Sequence, residues 1–255
     1  MEKAAGVARI YLSNPQRYNA MSLSMWRELA RLTLDAENDP DVRVLLLQGA
    51  GDKAFVSGAD ISEFKQVRDN PEQVAQYGAA VHDAQYALSS SNKPVIAGIH
   101  GVCMGGGIGL ALSCDLRYCA DNTRFRMPAA RLGLGYDLVG MRHTISVIGA
   151  AATADMFFTA RIFDGREAER VGMVHKSFAA ADLPAELDKM AAEVALNAPL
   201  TMRAAKLALR YTMGDPKVQD EHIVHGAIQA CFDSEDYKEG QKAFREKRPP
   251  RFRGQ

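Results

Sequence analysis

The sequence predicts an α/β protein with a largely parallel sheet and a helical C-terminal third. Two apolar runs, Val42–Gln48 (VRVLLLQ) and Pro94–Ile99 (PVIAGI), lack the wet face of an edge or surface strand. Such runs read as strands buried on both faces, which is the habit of parallel sheets. Helical stretches alternate with them, as in chains of βα units. From about Leu183 onward the pattern becomes almost wholly helical.

Taken in order, Val7–Leu12 reads as a strand that Asn14-Pro15 stops. Ser22–Asn38 reads as a helix, with Met25, Leu29, Leu32 and Ala36 at helical spacing and Asp39-Pro40 at its end. The Val42–Gln48 strand leads into Gly49–Asp60, a Gly-, Ser- and Asp-rich stretch expected to be loop. A helix follows over about Pro71–Ser90, then the Pro94–Ile99 strand. The glycine cluster Gly101–Gly109 runs into LALSCDLRYCA, a short helix and another strand. A second glycine-rich loop, Leu132–Gly140, opens more helix.

Near the C-terminus, Val224, Ala227, Ile228 and Cys231 make an apolar stripe at i, i+3, i+4, i+7. The last helix has Ser234 as its cap, Glu235 and Asp236 in its first turn, and Lys242, Arg245, Lys247 and Arg248 toward its end. That charge order suits the helix dipole, and Pro249-Pro250 is expected to stop it. An α/β core over 1–195 and a helical subdomain over 196–255 follow, the apolar stripe of the latter expected to cover the core or another subunit.

Composition narrows the function. Lys+Arg and Asp+Glu both number 31 in 255 residues, so the chain lacks the basic excess of a general nucleic-acid binder. Cys103, Cys114, Cys119 and Cys231 form no C-x-x-C pair, which points to reduced thiols and no zinc site. The N-terminal apolar run is too short for a signal peptide, and Val95–Leu112 carries His100 and glycines that disfavour a membrane span. A cytoplasmic location is expected.

The glycine cluster is the strongest local signal. It lacks the Lys-Ser/Thr of a P-loop, and its spacing is not G-x-G-x-x-G, because Leu110 stands three residues after Gly107. A strand, a glycine turn and a helix start remain. They leave backbone N–H groups free at a positive helix end, able to hold a phosphate or a developing oxyanion. Close helix–sheet packing would also explain the glycines. Phe55–Asp60 (FVSGAD) repeats the arrangement, so two such turns could supply a two-pronged oxyanion hole.

FVSGADISEF at Phe55–Phe64, KPVIAGIHGVCMGGGIGLALSCDLR at Lys93–Arg117 and the run from Phe125 to Gly140 together resemble the crotonase superfamily of enoyl-CoA hydratases and isomerases. NPQRYNAMS at Asn14–Ser22 and FFTARIFDGREAERVGMVHKSF at Phe157–Phe178 extend the likeness over essentially the whole chain. The resemblance implies a spiral of ββα units with a helical C-terminal region, assembled as trimers or hexamers. It implies an acyl-CoA thioester substrate and an oxyanion hole from the N–H groups of Ala59 and Gly106. No metal or separate cofactor is implied, coenzyme A being part of the substrate. Arg17, Lys53, Ala59, Asp60 and Ile61 would line the coenzyme A side, with Lys247 and Arg248 reaching it from a neighbouring subunit.

The sequence departs from the family pattern at the acid/base groups. The positions that match the two hydratase glutamates hold Gly109 and Ala129. Hydration needs a base for water and a proton source for the α-carbon, which backbone amides cannot supply. Tyr136-Asp137 is the replacement pair. Asp137 matches the catalytic carboxylate of Δ3,Δ2- and dienoyl-CoA isomerases. Tyr136 and the C-terminal DSEDYKEGQKAFREKRPPRF are similar to methylmalonyl-CoA decarboxylase, which has a histidine where this chain has Ala59. Double-bond isomerisation or decarboxylation is therefore expected. The charge of Asp137 would repel a substrate carboxylate, which favours isomerisation or residual hydration. Hydration with a non-standard acid/base and non-catalytic acyl-CoA binding are the alternatives; a loop tyrosine beside a capping aspartate is the plain structural reading of the pair. Of the other polar residues, His222 and His225 read as a surface pair and His100 as a hydrogen-bonded packing residue. Asp60 reads as a helix cap, and Asp115 and Arg117 as structural partners. His143 is a candidate pocket residue.

Overall fold

The computed structural model describes all 255 residues. After a short strand β1 (Glu2–Ala4) come β2 (Val7–Leu12) and helix α1 (Leu23–Asn38), which Ser22 caps by accepting the Met25 N–H. Three ββα turns follow. The first is β3 (Val44–Gly49), β4 (Ala54–Val56), then α2 (Phe64–Val67) and α3 (Pro71–Ser90). The second is β5 (Val95–Ile99), β6 (Val102–Met104) and α4 (Gly106–Leu112). The third is β7 (Leu116–Ala120), β8 (Arg124–Arg126), α5 (Ala129–Leu132) and α6 (Leu138–Thr159), the last broken at Gly149. Helix α7 (Gly165–Arg170) and strand β9 (Lys176–Phe178) close the sheet region. Helices α8 (Leu183–Ala195), α9 (Pro199–Thr212), α10 (Glu221–Phe232) and α11 (Glu235–Glu246) complete the chain.

Each ββα turn gives one strand to each of two sheets. The large sheet runs β1-β2-β3-β5-β7-β9 and the small one β4-β6-β8. All pairings are parallel except β1 with β2. The apolar run in β3 shows why uniform hydrophobicity was needed. Leu45 and Leu47 face the main core with Trp26 and Leu88, while Val44 and Leu46 face Leu183 and Leu187 of α8. Period-two alternation thus places apolar side chains on both faces.

The small sheet departs from expectation. The stretch 49–60 contains β4 rather than loop alone, and β6 lies inside the glycine cluster. These three-residue strands are too short to carry a readable alternation. The third strand begins at Val44, not Val42, and the last helix stops at Glu246, before the prolines, because Lys247 turns left-handed at φ 54°.

The C-terminal helices are anchored to the core by a buried cation. Lys206 of α9 donates to the Asp115 carboxylate at 2.7 Å and to the carbonyls of Leu88 and Lys93. Asp115 also accepts the Val95 N–H at 2.7 Å. Arg117 is buried and donates to the carbonyls of Met173 and Cys114. Both residues are structural partners, as their sequence setting suggests.

Candidate active site

Two strand-to-helix turns meet at the small sheet. The turn after β4 contains Gly58, at φ 119°, a conformation that a residue with a Cβ resists. Met21 donates its N–H to the Gly58 carbonyl and accepts the Asp60 N–H, holding this turn from both sides of Ala59. The turn after β6 leads through Gly105 into α4. A Cβ at Gly107 would stand 2.4 Å from the Val56 carbonyl oxygen, so only glycine lets α4 settle onto β4.

The turns abut. A Cβ built on Gly106 would lie 3.9 Å from the Gly58 carbonyl carbon, and one on Gly105 would lie 4.0 Å from the Gly58 Cα. The N–H groups of Ala59 and Gly106 donate to no backbone carbonyl in the chain. Trp26 supports the pair from below: its ring carbons come within 3.3 and 3.5 Å of the same Gly106 Cβ point, and its Nε1 donates to the Tyr77 hydroxyl at 3.0 Å.

Gly109 lies on α4 three residues beyond Gly106, which is nearly one turn and about 4.5 Å along the axis. No side chain extends from it, and the buried Ala129 adds only a methyl group. The space over Gly109 is instead taken by Gln85 of α3, whose Nε2 is 2.5 Å from where a Cβ would stand. The Tyr136 hydroxyl is 3.6 Å from that point. Tyr136 is held there by an edge-on contact with Phe157, ring centroids 4.8 Å apart. Burial, and then the charge of Asp137, push its phenol up to about 12, so it remains a hydrogen-bond donor near neutral pH.

Asp137 does not share this buried setting. It is exposed and caps α6 by accepting the Gly140 N–H at 2.8 Å. This capping geometry holds the carboxylate at the helix mouth. His143 reaches the Leu112 carbonyl at the end of α4, 2.6 Å from its Nε2. His100 does not find the full hydrogen bonding expected of it: its Nε2 is buried without a partner, and burial lowers its pKa.

On the proposed coenzyme A side, Asp60 accepts from Ser62 and Arg17, the latter at 2.8 Å. Burial pushes its carboxyl upward, but the Ser62 hydrogen bonds and the Arg17 charge outweigh this and hold it below the ordinary carboxylate range. Arg17 keeps half its side chain exposed, and Ile61 beside it is 73% exposed. Lys53 is exposed at the entry to β4, the end opposite the Ala59 turn. Lys247 is exposed as well. Arg248 is committed within its own chain, to Glu239 at 2.6 and 2.9 Å and to Glu246 at 2.7 Å. Its charge is already matched, so this chain leaves it no free guanidinium for a phosphate.

His225 pairs with Glu221 at the surface, and no group of three or more His, Cys, Asp or Glu side chains is arranged to hold a metal. No helix is long and apolar enough to cross a membrane. A cleft of about 980 Å³ lies along α11 among Glu235, Lys242 and Arg253, and neither turn contributes to it.

Gln85 is the site residue that sequence reading missed. Its signal was present: it lies four residues after Val81 and three before Leu88, on the inward face of α3, where a polar side chain is out of place.

The chain is similar to known proteins over nearly its whole length. A family model described as enoyl-CoA hydratase/isomerase matches residues 2–255. A short-chain-enoyl-CoA hydratase of Clostridium acetobutylicum is 32% identical over 97% of this chain and 94% of its own length. A peroxisomal Delta(3,5)-Delta(2,4)-dienoyl-CoA isomerase of Arabidopsis thaliana is 30% identical over 97% of this chain and 93% of its own. The crystal structure of an enoyl-CoA hydratase/carnithine racemase from Magnetospirillum magneticum superposes with a TM-score of 0.91 at 34% identity, covering 99% of this chain and 94% of that one.

Proposed function

This chain belongs to the enoyl-CoA hydratase/isomerase family, and from that premise we propose that it forms a thioester enolate by decarboxylating an α-carboxyacyl-CoA. The observation that carries the reading is the abutting pair of unpartnered N–H groups at Ala59 and Gly106, beside walls that carry no buried carboxylate at Gly109 or Ala129. Two such donors aimed at a thioester oxygen favour the enolate over the neutral carbonyl. Neither position extends a side chain that could draw a proton from the α-carbon or activate water.

Decarboxylation needs neither step. The bond between the α-carbon and the carboxylate breaks, its electron pair passes into the thioester as the enolate, and CO₂ leaves. A proton from solvent then completes the α-carbon. Tyr136 would hold the carboxylate out of the thioester plane, where the breaking bond overlaps the carbonyl π-system. Asp137 sits at the N-terminus of α6, whose dipole offsets its charge and reduces the repulsion that would otherwise oppose a substrate carboxylate. Isomerisation is the second reading. It is favoured by the free oxygen of Asp137, since only the other one accepts the Gly140 N–H.

A panel of acyl-CoA thioesters tests the assignment. Release of CO₂ from methylmalonyl- or malonyl-CoA, exceeding both hydration of crotonyl-CoA and conversion of 3-enoyl-CoA, is the expected result. Absence of turnover across the panel would support a binding protein instead.

Arg17, Lys53 and Lys247 are the proposed contacts for the coenzyme A phosphates, all three being exposed cations, with Lys247 reaching the site from a neighbouring subunit. The four free cysteines, three of them buried, suit a cytoplasmic setting. The proposed assembly is a trimer or hexamer. Exposed Leu209, Ile223, Phe232 and Phe244 on α9–α11 form apolar surface that a second subunit would cover. Light scattering should give three or six times 27.8 kDa, and a monomer at micromolar concentration would overturn the assembly.

A further inference from the structure

Gln85 and Tyr136 present two neutral donors to one point above Gly109. The Gln85 Nε2 and the Tyr136 hydroxyl stand 2.5 and 3.6 Å from the Cβ position there. Neither group is sealed as a buried polar atom without a partner; that description fits only the His100 Nε2. They come from different elements, α3 and the loop before α6, so their convergence is not a by-product of local chain geometry. A leucine or methionine at position 85 would satisfy the packing face shared by Val81, Ala84 and Leu88.

We propose that Gln85 is a substrate-positioning residue, which with Tyr136 forms a two-donor clamp for an acidic oxygen group on the α-carbon of the acyl chain. The inference rests on the acyl-CoA reading of the Ala59–Gly106 pair and adds the means by which the chain selects a carboxylated substrate. The placement suits it, since Gly109 lies about 4.5 Å along α4 from Gly106, nearly one helical turn from the paired N–H groups. The chemistry of the donors suits it too. Loss of CO₂ moves negative charge away from the carboxylate and onto the thioester oxygen. A lysine or arginine on the carboxylate would stabilise the starting state and oppose that movement. Neutral amide and phenol donors orient the group with less of that penalty.

The test compares acetyl-CoA with sulfoacetyl-CoA, in which a sulfonate replaces the carboxylate and cannot leave as CO₂. Calorimetry on the wild-type protein should show sulfoacetyl-CoA binding about tenfold more tightly, the worth of one hydrogen bond to a charged group. Gln85→Met should reduce that preference to about threefold or less, read as the ratio of the two affinities. Gln85→Glu keeps a polar side chain of the same shape and should reverse the preference by placing like charges together. A melting curve on each variant establishes folding, and the wild-type comparison decides the matter even if one variant does not fold. Acetyl-CoA binding without a preference for the sulfonate, or a full preference retained in Gln85→Met, overturns the role of Gln85 and leaves the acyl-CoA reading standing. No binding of either thioester overturns both.

Discussion

Gly106→Pro is expected to lower kcat by about 10²–10³, the usual cost of losing one oxyanion-hole donor. The substitution removes the N–H and puts a ring carbon in its place. Gly106 is the first residue of α4, the helical position where proline is best tolerated because its N–H has no partner in the helix. The added Cβ would crowd the Trp26 ring at 3.3 Å, so a steric control is needed. Gly106→Ala supplies it: alanine brings the same Cβ and keeps the N–H. Circular dichroism should show both variants folded, with the alanine variant far more active than the proline variant. Equal losses in the two would trace the effect to crowding of Trp26, and equal activity to wild type in both would move the site elsewhere.

Tyr136→Phe and Asp137→Asn should separate the two reactions that the site could support. Under decarboxylation, Tyr136→Phe is the damaging change, lowering turnover of an α-carboxyacyl-CoA by about 10²-fold through loss of a positioned donor. Asp137→Asn should then leave turnover close to wild type. Asparagine caps a helix as well as aspartate does, so α6 is not weakened by the change. Under isomerisation the outcome reverses: removing the carboxylate base should reduce 3-enoyl-CoA conversion by about 10²–10⁴. If neither variant differs from wild type on any active substrate, the pair has no catalytic part and Asp137 is a cap alone.

These expectations also mark where sequence reading succeeded and where it stopped. The large sheet was legible because β3 and β5 are apolar on both faces, a pattern that stays visible in one dimension. The glycine turns were legible because glycines crowd where a helix must close on a strand, as Gly107 does against Val56. Strands β4, β6 and β8 were not, because three residues carry no period and their pairing comes only from the three turns stacking. The resemblance singled out Tyr136 and Asp137 together, yet burial separates them: one hydroxyl points to Gly109 and one carboxylate faces solvent. Nothing in their adjacent positions distinguishes those environments. Gln85 was hidden for a related reason. Its oddness on α3 can be read from helical spacing, but the point it faces lies on another helix, reached only once α3 and α4 have packed.

The tryptophan beneath the turns makes the protein its own optical probe. It is the chain's single tryptophan, 1% exposed, and its ring edge lies against Gly106. Indole emission therefore has one origin, a few ångströms from where a thioester oxygen would sit. A ligand entering between Ala59 and Gly106 changes the polarity around that ring, while one bound elsewhere leaves it largely undisturbed. Titrating an unreactive thioester and following emission would report occupancy of the turns directly, with no label, no turnover and no need to know which reaction the chain performs.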